Sequence, residues 1–165
     1  MKTFGRIFIV CALIVFAFSF SNVSGQFFGL QNPLVGEPAP DFRLSTLSKD
    51  SVSFSEYRNG GRAIVFFWAT WCPHCRTALR DLSLKKDMIE QKQIKIALVD
   101  VGESGAKVES YLRKNNINLD VFLDKDSSVA EAYAVSGVPS FYYVDSDGTV
   151  TAVNHGLPQD LESLF

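Results

Sequence analysis

The chain has 165 residues, of which 47% are apolar and 21% charged, a composition typical of one globular domain rather than a disordered or collagen-like chain. Its 16 basic and 18 acidic residues give a formal net charge of −2, which leaves no basic excess for neutralising phosphates and argues against nucleic-acid binding. Three cysteines are too few for a small fold held by several disulfides or for a four-thiolate metal site.

Residues 1–25 have the layout of a targeting segment. Lys2 and Arg6 precede the uncharged run Ile7–Phe20, and small or polar residues follow it. This order is typical of a secretory signal peptide. The apolar run is also shorter than the ~20 residues that span a bilayer, which argues against a transmembrane helix. An uncleaved N-terminal membrane anchor is the alternative. Both predict that the rest of the chain lies outside the cytoplasm, in an oxidising compartment.

Residues 26–40 contain three prolines and two glycines, which predicts a linker, so the folded domain is expected at residues 41–165. At its start, Val52 and Phe54 alternate with serines, which favours a short edge strand or one arm of a hairpin. The Asn59–Gly61 sequence that follows predicts a turn.

Three elements define the middle of the chain. Ala63–Trp68 is a continuous apolar run, as expected of a strand buried on both faces, and Ile94–Val101 predicts a second core strand. Between them, apolar residues at helical spacing predict a helix from Pro73 to about Gln91, with the proline in the first turn.

The remaining elements alternate between helix and strand and include a hairpin before the last helix. We predict, in order, a helix at Glu103–Asn115, a strand at Val121–Leu123, a helix at Ser127–Ala134, hairpin strands at Ser140–Val144 and Thr149–Val153, and a final helix at Leu157–Phe165. This order indicates an α/β fold with a central mixed β-sheet, mostly parallel with an antiparallel edge and flanked by helices.

The sequence WCPHC, Trp71 to Cys75, lies where the first core strand meets the helix. Unpaired N–H groups and the macrodipole at a helix start favour Cys72 as a thiolate, the nucleophile of disulfide exchange. Cys75 lies one turn later and deeper, so Cys72 is predicted to attack and Cys75 to resolve. Pro73 stiffens the loop, and a protonated His74 would stabilise the Cys72 thiolate.

Two other interpretations of the cysteine pair remain. A purely structural disulfide across two residues closes almost no loop and adds little stability. A metal-binding module, for example one that holds soft Cu(I) through Cys72 and Cys75 and delivers it, is the alternative function. The redox interpretation requires no cofactor, and a C-x-x-C pair in a strand–helix context favours it.

Three segments resemble one known family. FFWATWCPHC resembles the active-site segment of thioredoxin-fold proteins, and the segments Gly36–Leu47 and Tyr133–Gly148 resemble the extracytoplasmic TlpA/ResA-like branch of that fold. The resemblance implies a thioredoxin-like fold in which Pro139 is cis and lies against the active-site disulfide. It also implies that Val138 offers backbone hydrogen bonds to an extended substrate, and Trp71 is expected to form an exposed platform beside the site.

The sequence departs from the family at two positions. Many members of this branch carry a glutamate where this chain has Ala78, and classical thioredoxins carry a buried aspartate where it has Phe66. Both acids would accept a proton from the resolving cysteine. The inner Pro73–His74 pair resembles that of DsbA-type oxidants, whereas the domain type suggests a reductant, so the direction of electron transfer stays open.

The sequence therefore predicts a thiol–disulfide oxidoreductase, secreted, periplasmic or membrane-anchored. Its expected partners are cysteine-containing extracytoplasmic proteins and a further redox protein that restores its own thiol state. We expect a monomer with no cofactor, no resident metal and no nucleic-acid partner.

Overall fold

The computed structural model describes residues 32–48 and 50–165. The predicted targeting segment at residues 1–25 and the first part of the predicted linker lie outside these ranges, so both stay predictions. Within the described ranges, no helix is both long enough and apolar enough to cross a bilayer.

The described residues belong to one compact unit of short strands and helices. Its elements are β1 (Arg43–Ser45), β2 (Ser51–Ser53), α1 (Phe54–Arg58), β3 (Arg62–Trp68), α2 (Pro73–Gln91), β4 (Ile94–Val101), α3 (Gly105–Lys114), β5 (Val121–Asp124), α4 (Ser128–Ala132), β6 (Ser140–Val144), β7 (Val150–Asn154) and a final 3₁₀ turn (Glu162–Leu164).

A five-stranded sheet in the order β5–β4–β3–β6–β7 forms the centre of this unit. Strand β4 is parallel to β3 and β5, whereas β6 is antiparallel to β3 and β7. The predicted mixed sheet is confirmed, and its antiparallel part includes two strand pairs rather than an edge alone. Because β3 and β4 are parallel, their carboxyl ends meet at one edge, where the chain passes from β3 towards α2.

Both faces of the sheet are covered, which explains the continuous apolar runs of β3 and β4. Phe66 and Trp68 share one core with residues of α2 and α3, which we call the first core. Val65 and Phe67 point to the other face and share a second core with residues of α1 and α4. The bounds of α2 and β4 are those that the sequence predicts.

Helix α1 corrects the prediction of a strand through Phe54. Strands β1 and β2 form an antiparallel hairpin, but Phe54 begins a helix instead of continuing β2. The Ser53 hydroxyl accepts a hydrogen bond from the Glu56 N–H, and the Glu56 carboxylate accepts one from the Ser53 N–H. This capping box starts the helix at Phe54, because it satisfies two backbone donors at once.

The predicted C-terminal helix at Leu157–Phe165 is wrong, because only a 3₁₀ turn forms at Glu162–Leu164. A helix of so few residues is marginal unless tertiary contacts favour it. Here the tertiary contacts accompany an irregular segment that ends in a 3₁₀ turn. Leu161 is buried in the first core, and Phe165 packs against that core. The Thr151 hydroxyl donates a hydrogen bond to the Leu164 carbonyl.

The second part of the predicted linker is hydrogen-bonded to the sheet. The N–H of Gly36 donates to the Val150 carbonyl over 2.8 Å, and the Val150 N–H donates to the Glu37 carbonyl over 2.9 Å. The Asn32 amide donates to the Tyr142 hydroxyl over 2.8 Å. From residue 32 onward, the chain therefore packs against the domain before β1 begins.

Candidate active site

Cys72 and Cys75 lie at the junction between β3 and α2 and form a disulfide. Cys72 is the N-cap residue of α2, with extended backbone angles, and Pro73 occupies the first turn of the helix. The Cα atoms of the two cysteines are 5.2 Å apart. The C-x-x-C spacing thus brings both sulfurs together at the start of a 19-residue helix.

The two cysteines differ in their surroundings. Cys75 is completely buried in the first core, whereas Cys72 retains 4% exposure. The Cys75 N–H donates a hydrogen bond to Cys72 Sγ over 3.1 Å. Free N–H groups at a helix start carry partial positive charge, so this position favours negative charge on Cys72. Of the two cysteines, Cys72 alone keeps any exposure to solvent, so it is the more accessible to an incoming group.

The loop before β6 lies against Cys72. The Val138–Pro139 peptide bond is cis, and the Val138 carbonyl oxygen is 3.6 Å from Cys72 Sγ. The Pro139 carbonyl oxygen lies 2.9 Å from the Nδ1 atom of His155, just after β7. The structure therefore brings Val138 and Pro139 to the disulfide, as the resemblance implies. It also places His155 against the Pro139 carbonyl.

The remaining predicted site residues, Trp71, Pro73 and His74, are exposed to solvent. The Trp71 side chain is 61% exposed immediately before Cys72, and Pro73 and His74 are exposed at the helix start. Trp68 differs from Trp71 in being fully buried, with its ring 5.9 Å from that of Tyr111. The exposed residues next to Cys72 in the chain are thus aromatic, apolar and polar.

The two positions at which the family resemblance implies an acid, Phe66 and Ala78, are apolar and buried. Phe66 is fully buried and stacks on Phe141, with ring centroids 4.1 Å apart. Ala78 faces the first core from α2. Neither position offers a proton acceptor to the Cys75 sulfur.

Two acidic residues that the sequence analysis does not assign lie at the same sheet edge. Glu103 accepts hydrogen bonds from the Thr70 N–H over 2.5 Å and from the Thr70 hydroxyl over 2.8 Å. Lys107 forms an ion pair with the same carboxylate over 2.5 Å. The segment just before Cys72 is therefore attached to the start of α3.

Asp100 is a fully buried acid at the end of β4, in register with Trp68 on β3. Within the described residues, neither of its carboxyl oxygens makes a hydrogen bond of standard geometry. Burial and the nearby Glu103 carboxylate raise the pKa of Asp100 to about 8. Although burial opposes it, hydrogen bonds from Lys107 and Thr70 lower the pKa of Glu103. These opposite shifts favour the protonated form of Asp100 and the ionised form of Glu103 at neutral pH.

No metal site accompanies the cysteine pair in the part of the chain that the structure describes. No group of three or more histidine, cysteine or acidic side chains there is arranged to hold an ion. A Cu(I) ion would therefore have the two thiolates alone as ligands from these residue types.

Asp100, Glu103 and His155 lie near the site but were not predicted, and the sequence pattern carries a signal for Asp100 alone. Asp100 follows Ile96 and Leu98 at an inward-facing position of an apolar strand, so the alternation could have identified it as buried. By contrast, the Thr70–Glu103 bonds join residues 33 apart in the chain. The contact between His155 and Pro139 depends on how β7 returns beside β6, which local patterns do not reveal.

The comparison with known protein families gives a match over most of the chain. The model of the AhpC/TSA family matches residues 35–153. Among curated proteins, the thiol-disulfide oxidoreductase ResA of Bacillus subtilis is 27% identical over 159 residues, covering 94% of this chain and 88% of that protein. ResA of Geobacillus kaustophilus is 29% identical over 122 residues, covering 74% of this chain and 70% of that protein.

Solved structures share the fold. A putative thiol:disulfide interchange protein DsbE from Chlorobium tepidum matches with a TM-score of 0.69 at 23% identity, covering 76% of this chain and 87% of that one. StoA from Bacillus subtilis matches with a TM-score of 0.64 at 21% identity, covering 80% and 96%. The predicted thioredoxin-like fold is confirmed.

Proposed function

The chain belongs to the AhpC/TSA family and is a thioredoxin-fold thiol–disulfide oxidoreductase, and we propose that Cys72 and Cys75 exchange a disulfide with cysteine pairs of other extracytoplasmic proteins. The observation that supports these roles is the asymmetry of the pair. Cys72 caps a helix and keeps slight exposure to solvent, whereas Cys75 is completely buried one turn later. An attacking thiol needs access and a stabilised thiolate, and a resolving thiol needs proximity alone.

The exchange proceeds in two displacements when the reduced protein meets a substrate disulfide. The Cys72 thiolate attacks one substrate sulfur, the substrate S–S bond breaks, and the other substrate sulfur leaves as a thiolate. Cys75 then loses its proton and attacks Cys72 Sγ, which breaks the mixed disulfide and releases the second substrate thiolate. The substrate gains two electrons, the Cys72–Cys75 pair loses two, and the reverse sequence oxidises a substrate dithiol.

The loop before β6 supports binding of an extended substrate segment beside Cys72. The Val138 carbonyl already faces Cys72 Sγ, and β-strand addition uses such free backbone groups. Trp71, the residue before Cys72, offers an exposed aromatic surface next to it in the chain. We therefore assign Val138, Pro139 and Trp71 to substrate contact, with Pro73 and His74 tuning the thiolate.

The proposed location rests on the targeting segment and the relatives. Residues 1–25 carry a positive start, an apolar run and a polar end, in the order typical of export. The curated relatives in the comparison are thiol-disulfide oxidoreductases of the ResA type. We propose that the domain works outside the cytoplasm as a monomer, exported or held at the membrane, with a separate redox partner.

A direct exchange assay tests the proposed function. The full-length Cys11→Ser chain, which removes the third cysteine, is reduced and mixed with a peptide that contains one disulfide. We expect one peptide disulfide to be reduced for each Cys72–Cys75 disulfide formed, measured by mass spectrometry after acid quenching. The Cys72→Ser variant is the control and should not turn over the peptide. Failure of the Cys11→Ser chain to exchange faster than a free thiol would contradict the proposal.

A further inference from the structure

Beside the cysteine pair, α2 presents a stripe of residues that the redox chemistry does not use. Arg76, Arg80 and Leu84 are exposed and follow one another at four-residue intervals, so they lie along one side of the helix. Leu84 is 79% exposed and adds an apolar side chain to this stripe. Tyr111 and Ile117 form the opposite wall of a shallow groove of about 160 Å³.

The groove is positively charged although the whole chain is slightly acidic. It is lined by Arg76 and Arg80 and by no carboxylate. Within the described residues, neither arginine forms an ion pair, whereas the exposed Arg43 pairs with Glu56 and Lys107 pairs with Glu103. Two unpaired guanidinium groups beside a phenol ring and an exposed leucine form a surface that complements a negatively charged, partly apolar chain.

The position of the groove relates it to the reactive sulfur. At ~1.5 Å of rise per residue, Arg76 and Arg80 lie about 6 and 12 Å from Cys72 along the helix axis. An extended peptide advances ~3.3 Å per residue. A substrate segment that runs from Cys72 along the helix would therefore place residues about two to four positions from its own cysteine opposite the two arginines.

We propose that this groove, defined by Arg76, Arg80, Leu84, Tyr111 and Ile117, is a docking surface for an acidic segment of the substrate protein. The segment carries aspartate or glutamate about two to four residues from the cysteine that reacts with Cys72. This inference rests on the proposed function, since it names the substrate class of the same site. Exposed charge pairs at the rim of an interface act mainly on association, so the groove selects substrates by how fast they bind.

Matched peptides test the docking surface. Two disulfide-containing peptides are identical except that one has aspartate, and the other asparagine, three positions from each cysteine. The second-order rate constant of exchange is measured at low and high salt with the reduced full-length Cys11→Ser chain. We expect the acidic peptide to react roughly 2- to 30-fold faster at low salt, the range that two exposed ion pairs allow. The advantage should disappear at high salt because of screening.

Two double variants locate the effect. Arg76→Gln with Arg80→Gln should abolish the preference, measured as the ratio of the rate constants of the two peptides with the same variant. Arg113→Gln with Lys114→Gln removes two exposed charges outside the groove, at the end of α3, and should retain the preference. Equal rates for both peptides, or a preference that survives the α2 variant, would overturn the docking proposal while exchange itself continues. Absence of exchange with both peptides would instead contradict the proposed function.

Discussion

The backbone N–H of Cys75 donates to the Sγ atom of Cys72 over 3.1 Å, although the two sulfurs are bonded to each other. This donor belongs to the first turn of α2, so we expect it to stay in place when the disulfide opens. After reduction, the same N–H would point at a thiolate rather than at a neutral sulfur, and hydrogen bonds to charged acceptors are stronger. The geometry of the oxidised protein is thus prepared for a negative charge on Cys72.

The first prediction concerns the thiolate. In the reduced Cys11→Ser chain, we expect Cys72 to ionise at least about one pH unit below the ~8.5 of a free cysteine, because the helix start stabilises the anion. Thiolate absorbance in the ultraviolet, followed against pH, measures this directly. The Cys72→Ser control should lose the transition at lower pH, and a single midpoint near ~8.5 in the Cys11→Ser chain would show that the helix start has no such effect.

The second prediction concerns His74, which is exposed in the first turn of α2. His74→Pro removes an imidazole and a backbone N–H from the first turn of α2, and we expect both groups to favour the Cys72 thiolate. The reduced form should become less stable, and the reduction potential should shift by roughly 30 mV to more negative values, equivalent to ~1.4 kcal/mol. Equilibration with glutathione measures the shift. His74→Gln keeps the N–H and separates the two contributions, and an unchanged potential in the proline variant would exclude both.

The third prediction concerns the pH dependence of stability. The pKa of Asp100 is raised by burial from 3.8 to about 8. Between these values, the folded chain holds a proton that the unfolded chain releases, so the free energy of unfolding should decrease as pH rises through this window.

Asp100→Asn removes this titration and should reduce the loss of stability between pH ~5 and ~9 by at least ~1 kcal/mol. Urea unfolding at the two pH values, with the natural chain alongside, gives the comparison. Asp87→Asn, at an exposed position of α2, controls for the loss of a carboxylate. Equal pH dependence in the natural chain and in Asp100→Asn would mean that Asp100 is already ionised when folded.

The fourth prediction concerns resolution of the mixed disulfide, for which Cys75 must lose a proton. Ala78 and Phe66 offer no acceptor, so we expect resolution to be slow near neutral pH and to accelerate as pH rises. Ala78→Glu should accelerate it by ~10²-fold if the carboxylate acts as a general base. Stopped-flow measurement of substrate release follows this step.

Ala78→Gln is the matched control for size and polarity, because it adds an amide that cannot accept the proton as a base. Ala78 is 8% exposed, so both variants should lose some stability, which unfolding measurements will report. If the glutamine variant resolves as fast as the glutamate variant, or the natural chain is already as fast, a missing acid does not limit the reaction.

The parts of the fold with strong local signals were predictable. The apolar run Ala63–Trp68 and the helix from Pro73 to Gln91 are present as predicted, because burial on both faces and a proline in the first turn leave clear patterns. At Phe54, the signal for a helix start is stronger than the alternation that predicted a strand. Ser53 and Glu56 form a capping box that outweighs the alternation of Val52 and Phe54.

The candidate site was predictable where it is local in sequence. Cys72 and Cys75 are three positions apart, so the helix start alone brings their sulfurs together. Glu103 and His155 reach the site only through the pairing of β4 with β3 and the return of β7 beside β6. Their side-chain contacts, to Thr70 and to the Pro139 carbonyl, depend on the assembled sheet and have no local pattern.

Trapping of the mixed disulfide identifies which cysteine attacks, and we expect Cys72 to attack and Cys75 to resolve. In the Cys11→Ser background, Cys75→Ser and Cys72→Ser chains are each reduced, mixed with the same disulfide-containing peptide and quenched with acid. Mass spectrometry then measures the fraction of each chain linked to peptide. We expect the Cys75→Ser chain to accumulate a peptide disulfide at Cys72, at roughly ten times the level of the Cys72→Ser chain, in which the buried Cys75 is the sole thiol. Equal trapping by the two chains, or greater trapping through Cys75, would show that Cys72 is not the attacking thiol.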